Sequence, residues 1–140
     1  MSGERPPEPQ PGATATAEIT VSESDLASAF TPGAGDSFPR VLATARMVAL
    51  MEIAAARVLQ PFLAEGDASV GVDVQTTHTA ATPPGARVRA HARYLGREGK
   101  FHAFEVRAED ESGEIGRGTH RRAVVQGARL EGSAARRRAG

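Results

Sequence analysis

A chain of 140 residues is long enough for one modest hydrophobic core, and its 17 basic and 17 acidic side chains give no electrostatic reason to bind nucleic acid or an anionic membrane. The absence of cysteine excludes disulfides, thiolate metal sites and a cysteine nucleophile. No apolar run approaches the ~20 residues that span a bilayer, and the polar start lacks a signal-peptide core, so the expected location is the cytoplasm.

Residues 1–13 carry four prolines and no hydrophobic pattern, which predicts a disordered Pro-rich tail. Residues 14–129 read as one unit without linker or repeat, and residues 130–140, which include Arg136, Arg137 and Arg138, read as a basic flexible tail. Thr14 to Val21 is rich in β-branched residues and predicts a first strand. A loop follows to Pro39, broken by Pro32, Gly33 and Gly35. Val41 to Leu63 is dense in Ala, Leu, Met and Val, lacks Gly, and predicts the one long helix. Its middle is apolar nearly all round, the pattern of a fully buried helix.

Four further strands are predicted at Val70 to Thr79, Arg87 to Leu95, Lys100 to Glu109 and Ile115 to Val125, with turns around Pro83-Pro84-Gly85, Gly96 to Gly99 and Ser112-Gly113. The first alternates, setting Val70, Val72, Val74, Thr76 and His78 on one inner face. In the second, Val88, Ala90, Ala92 and Tyr94 oppose Arg87, Arg89, His91 and Arg93. Such alternation marks antiparallel strands with one dry and one wet face. One strand, one helix and four strands can bury the dry face only if the sheet curls round the helix. The expected fold is therefore α+β, a hot-dog fold of about five antiparallel strands wrapped round one long central helix. A single helix leaves sheet edges uncovered, so edge-to-edge pairing into a homodimer is expected.

Glu52 stands out. It is the only polar side chain between Met47 and Ala56, and its helical neighbours Val48, Ala49, Ala55 and Ala56 cannot pair with it. A carboxylate buried without a partner costs several kcal/mol, and such a group suits acid/base or nucleophilic work. The alternative is a structural pairing with a group from the sheet, such as an arginine. His78 ends an inward row and is a candidate base or a satisfied core histidine. His91, His102 and His120 show no ligand spacing with it, so no metal site is expected. Thr44 lies near the helix start, where threonine ordinarily caps, and its hydroxyl acts in chemistry only beside a base. Arg121 and Arg122 alternate, so one of them points inward, either as a structural partner for Glu52 or to orient a substrate.

Three segments resemble the fluoroacetyl-CoA thioesterase family. They are Met47-Val48-Ala49-Leu50-Met51-Glu52, then Thr77-His78-Thr79-Ala80-Ala81-Thr82-Pro83-Pro84-Gly85, and Glu114-Ile115-Gly116-Arg117-Gly118-Thr119-His120-Arg121-Arg122, and together they cover roughly Phe38 to Val125. The resemblance implies a hot-dog dimer that hydrolyses a short-chain acyl-CoA, halogenated or otherwise toxic, to free acid and CoA. It implies catalytic roles for Thr44, Glu52 and His78, a substrate-facing backbone at Gly71, and an arginine at the site in Arg122. Coenzyme A belongs to the substrate and no other cofactor is implied. The fluoroacetyl-specific member has two phenylalanines three apart in a lid, where this chain has Gly35 and Phe38, so half of that aromatic gate is absent.

Two other readings use the same fold. Asp73 and His78 have the five-residue separation of hot-dog enoyl-CoA hydratases, although an unbroken strand places them on opposite faces. A non-catalytic acyl-CoA-binding module would need only the cleft.

Overall fold

Five antiparallel strands form one sheet in the computed structural model, which describes residues 7–140. They are β1 (Thr14–Thr20), β2 (Asp67–His78), β3 (Arg87–Glu98), β4 (Phe101–Asp110) and β5 (Gly113–Gln126), in the order β1-β3-β4-β5-β2. The helix α1 (Thr44–Leu59) packs on the inner face, chiefly against β1 and β3. This is the α+β hot-dog arrangement expected of one helix and five strands.

Alternation builds the core. Val88, Ala90, Ala92 and Tyr94 of β3 and Phe104, Val106 and Ala108 of β4 are buried, and small alanines beneath the helix let α1 approach the sheet closely. From α1 come Met47, Leu50, Met51, Ala54, Ala55, Val58 and Leu59, spaced three and four apart along one stripe. The α-helix stops at Leu59 and passes into a 3-10 turn, Gln60–Phe62, because Pro61 has no N–H for a further helical bond.

Three expectations need correction. First, α1 is not buried all round. Its second face carries Ala45, Val48, Ala49, Glu52, Ile53 and Ala56, all exposed or half-buried, with Ile53 37% exposed. Second, the alternation in β2 does not run unbroken. The ladder with β5 pairs Gly71 with Arg122 and then Asp73 with Arg121, leaving Val72 as the extra residue of a β-bulge. Before the bulge the inward positions are Ser69 and Gly71, which meet Arg122 and Glu52, so Val70 faces outward against expectation, and Val72 at the bulge is 43% exposed. Beyond it Val74 is paired with buried His120 and the inward row resumes through Thr76 to His78.

Third, the described part of each tail carries local structure that a featureless tail would lack. Residues 1–6 of the Pro-rich tail lie outside the described residues. In the remainder Pro9 is buried, and the Gly12 N–H donates to the Tyr94 carbonyl at 2.7 Å. Residues 130–140 fall almost wholly in a helix, α2 (Gly127–Ala139), which buries none of its residues. Its alanines, leucine and arginines favour the helical state locally, without a core to hold it.

Candidate active site

The candidate residues fall into two clusters, both on the inner side of β2. The first sits where the start of α1 meets the end of β2. Thr44 is the first helical residue, and its Oγ1 lies 2.7 Å from His78 Nδ1. Burial pushes the His78 imidazole below its ordinary value, opposed by a hydrogen bond with the Ala80 backbone. The ring is therefore neutral at pH 7 and able to take a proton. Its Nε2 is buried without a hydrogen-bond partner among the described residues. A cleft of about 290 Å³ opens beside the pair, lined by Val41, Leu42, Thr44, His78, Ala80 and Ala81 among others.

The second cluster surrounds Glu52, and it overturns the picture of an unpaired, fully buried carboxylate. The Glu52 side chain is 38% exposed, and Arg122 Nη1 stands 3.3 Å from its Oε1. Of the two adjacent arginines, Arg122 is the inward one, only 7% exposed. Its Nε donates to Ser69 Oγ at 3.0 Å and its Nη2 to the Ser69 carbonyl at 2.8 Å. Burial pulls the guanidinium below its ordinary value while the charge of Glu52 opposes that pull, and an arginine remains charged.

Gly71 completes this cluster. A Cβ built there would collide with Glu52 Oε1, so only glycine lets the carboxylate lie flat against β2. The bulge next to it leaves Val72 without a partner on β5.

Sequence reasoning thus finds Thr44, Glu52, His78, Gly71 and Arg122, and the structure joins them as a pair and a triplet. No hydrogen bond among the described residues links the two groups. Eight helical residues separate Thr44 from Glu52, about 12 Å of helix rise, so Thr44 contacts His78 and not Glu52 within one chain. Phe38 joins neither cluster: it is 50% exposed on the loop before α1, as Phe30 is at 47%. Asp73 points outward to Arg121, on the opposite face from His78, which removes the geometry a hydratase pair needs.

Two site residues escaped the sequence reading, Ser69 and His120. His120 is 1% exposed and touches Arg122. The signal for it was present, since residues 120 and 122 share a face of β5. A cavity of about 600 Å³ lies at the far end of α1 near Phe62 and Lys100, and its described lining includes none of the candidate residues.

Comparison with known proteins places the whole chain rather than its individual residues. The family model of fluoroacetyl-CoA-specific thioesterases (FlK) matches residues 21–128. The fluoroacetyl-CoA thioesterase of Streptantibioticus cattleyicolor is 48% identical over 88 residues, which are 63% of this chain and 63% of that protein. The match therefore spans less than two thirds of that curated relative's length. The solved structure of the fluoroacetyl-CoA thioesterase FlK superposes with a TM-score of 0.85 at 36% identity, covering 91% of this chain and 96% of that one. A thioesterase superfamily member of Thermus thermophilus superposes with a TM-score of 0.81 at 31% identity, covering 96% of this chain and 94% of its own. With the family model spanning most of its length, the chain belongs to the fluoroacetyl-CoA-specific thioesterase family.

Proposed function

We propose that the protein is a cytoplasmic acyl-CoA thioesterase that hydrolyses a short-chain acyl-CoA, halogenated acyl groups included, to free acid and CoA. The observation that carries this reading is the Thr44–His78 pair. A neutral imidazole that lines an open cleft is held at 2.7 Å from a hydroxyl, while its second nitrogen is buried and has no hydrogen-bond partner among the described residues. That arrangement supplies a proton carrier at the wall of a cleft able to admit a substrate. No cofactor beyond the substrate's own coenzyme A is required.

In the proposed reaction a carbon–oxygen bond forms at the thioester carbonyl and the carbon–sulfur bond breaks. Glu52 either takes the proton of the attacking water or attacks as nucleophile, with water then cleaving the acyl-enzyme. Backbone N–H groups at the Gly71–Val72 bulge stabilise the oxyanion. His78 delivers a proton to the departing CoA thiolate, and Thr44 orients the imidazole. Arg122 holds the Glu52 carboxylate in place.

The working unit of this proposal is a homodimer. β2 is an edge strand, and the second face of α1 presents an apolar, half-exposed stripe around Ile53. Both call for a cover of the same shape and polarity, which a second copy supplies. Pairing two β2 strands antiparallel about an axis near mid-strand sets the His78 end of one against the Gly71 end of the other. The two clusters, separate in one chain, then complete each other across the interface.

Release of free CoA from acetyl-, propionyl-, branched and fluoroacetyl-CoA tests the activity. The wild type is expected to turn over at least one short acyl-CoA, and Glu52→Gln to lose about 10²-fold or more in kcat with CoA binding retained. A wild-type protein that binds acyl-CoA and hydrolyses none of these esters contradicts the reading and favours a binding module.

A further inference from the structure

We infer that His120, held as a neutral imidazole, is a positioning residue that aims Arg122 at Glu52 and pins the β2 bulge; this inference rests on the role proposed above for Glu52.

The hydrogen bonds dictate the protonation of the ring. His120 Nδ1 lies 2.8 Å from the Asp73 carbonyl oxygen, which can only accept, so Nδ1 carries the hydrogen. Arg122 Nη1 lies 3.2 Å from Nε2, and a guanidinium can only donate, so Nε2 presents a lone pair. Protonation of Nε2 would set two donors and two positive charges against each other in a buried place. Burial and the charge of Arg122 both act against protonation, and burial is the larger effect, with the Asp73 hydrogen bond and Glu52 opposing. The ring therefore has one tautomer that satisfies both neighbours.

Each contact reaches a part of the site that His120 does not touch chemically. The Asp73 carbonyl belongs to the segment where the register of β2 shifts, and that shift turns Gly71 towards Glu52. On the other side, the Nη1 that meets His120 is the same nitrogen that meets Glu52 at 3.3 Å. With Nε and Nη2 engaged by Ser69, His120 and Glu52 share Nη1, and the buried imidazole holds that nitrogen while the partly exposed carboxylate is freer to move. The ring is buried beside Phe104, with centroids 6.1 Å apart and planes tilted by 32°, so it has little freedom to turn away.

The two nitrogens can be separated by substitution. In His120→Asn the side-chain amide reaches the Nδ1 position and can still donate to the Asp73 carbonyl, but the acceptor that His120 Nε2 offers Arg122 is lost. In His120→Gln the amide oxygen reaches the Nε2 position and can accept from Arg122. Steady-state kinetics on whichever acyl-CoA the wild type hydrolyses, together with thermal melts, form the experiment. His120→Asn is expected to lower kcat by about tenfold or more with KM changed less than about threefold, because a misaimed carboxylate affects the chemical step. His120→Gln is expected to recover most of that loss. A purely structural histidine would instead lower the melting temperature of both variants and leave kcat of the folded fraction unchanged.

Glu52→Gln is measured alongside. If it loses activity while folded His120→Asn keeps the wild-type kcat, the His120 inference alone is overturned. If Glu52→Gln keeps activity, the reading of Glu52 fails first and the inference falls with it. Should either variant be too unstable to assay, the nitrogen-15 shifts of the wild-type ring decide. A neutral His120 protonated at Nδ1 supports the inference, and an imidazolium or an Nε2-protonated ring at pH 7 overturns it.

Discussion

Arg121 and Arg122 are neighbours in sequence and belong to two different environments. Arg121 lies on the outer face of the sheet, paired with Asp73 and near Glu98, among pairs such as Glu18 with Arg87 and Arg89, and Arg117 with Glu114. These pairs hold their carboxylates below the usual range, chiefly through arginine hydrogen bonds at Glu18, Asp73 and Glu114. Exposed as they are, such pairs are screened by water and salt and contribute little individually. Arg122 lies on the inner face with Ser69, His120 and Glu52 around it. There each partner is limited to the groups the fold supplies, and removing one leaves the others unsatisfied. The same residue type thus serves solubility on one face and geometry on the other. Strand alternation alone decides which.

The sharpest way to break this comparison is Arg122→Ala. It strips Ser69, His120 and Glu52 of a shared donor, and we expect about 2–3 kcal/mol of lost stability with a large loss of turnover. Denaturant unfolding and CoA-release kinetics measure the two effects; wild-type values in both would mean that the inner cluster is no more consequential than the outer pairs. Gly71→Ala comes next, since its methyl displaces the Glu52 carboxylate without touching the outer face. A loss of about 10²-fold in kcat is expected with the fold retained, and unchanged kinetics would show that the close approach of Gly71 to Glu52 is incidental.

Acidification separates the faces in another way. His78, His102 and His120 all have values lowered mainly by burial from the ordinary 6.5. The unfolded chain binds more protons than the folded one once the pH falls through that ordinary value. Stability conferred by the three neutral rings is therefore present above about pH 6.5 and is lost progressively below it. Thermal melts between pH 7.5 and 5 are expected to show a falling midpoint before the outer carboxylates begin to titrate. A midpoint that stays level to pH 5 would contradict buried neutral histidines. The smallest effect belongs to Arg121→Ala, expected within about 0.5 kcal/mol of wild type and with unchanged kcat; a substantial kinetic defect there would erase the distinction between the faces.

Much of this was legible in the residues. The polar intruder Glu52 in an apolar helix, the alternation of β3 and the segment around His78 each point to their place in the fold. What the pattern could not convey follows from two physical causes. The β-bulge at Val72 depends on a pairing register with β5, and a period-two reading of β2 alone carries Val72 inward when it belongs outside. The partner of Glu52 arrives from a strand 70 residues away, so the helix by itself reads as though the carboxylate were unpaired. The tail at 130–140 errs in the opposite direction, because local propensity forms α2 without any burial to announce it.

The central claim is that Thr44 and His78 of one subunit work with Glu52 of the other. It is tested most directly by mixing two inactive variants, Thr44→Ala and Glu52→Gln, after subunit exchange. If the site is shared, each mixed dimer contains one site made from intact Thr44, His78 and Glu52. An equimolar mixture then recovers about a quarter of wild-type activity. If all three residues act within a single chain, every site in the mixture carries one substitution, and confirmed mixed dimers that stay inactive would contradict the account.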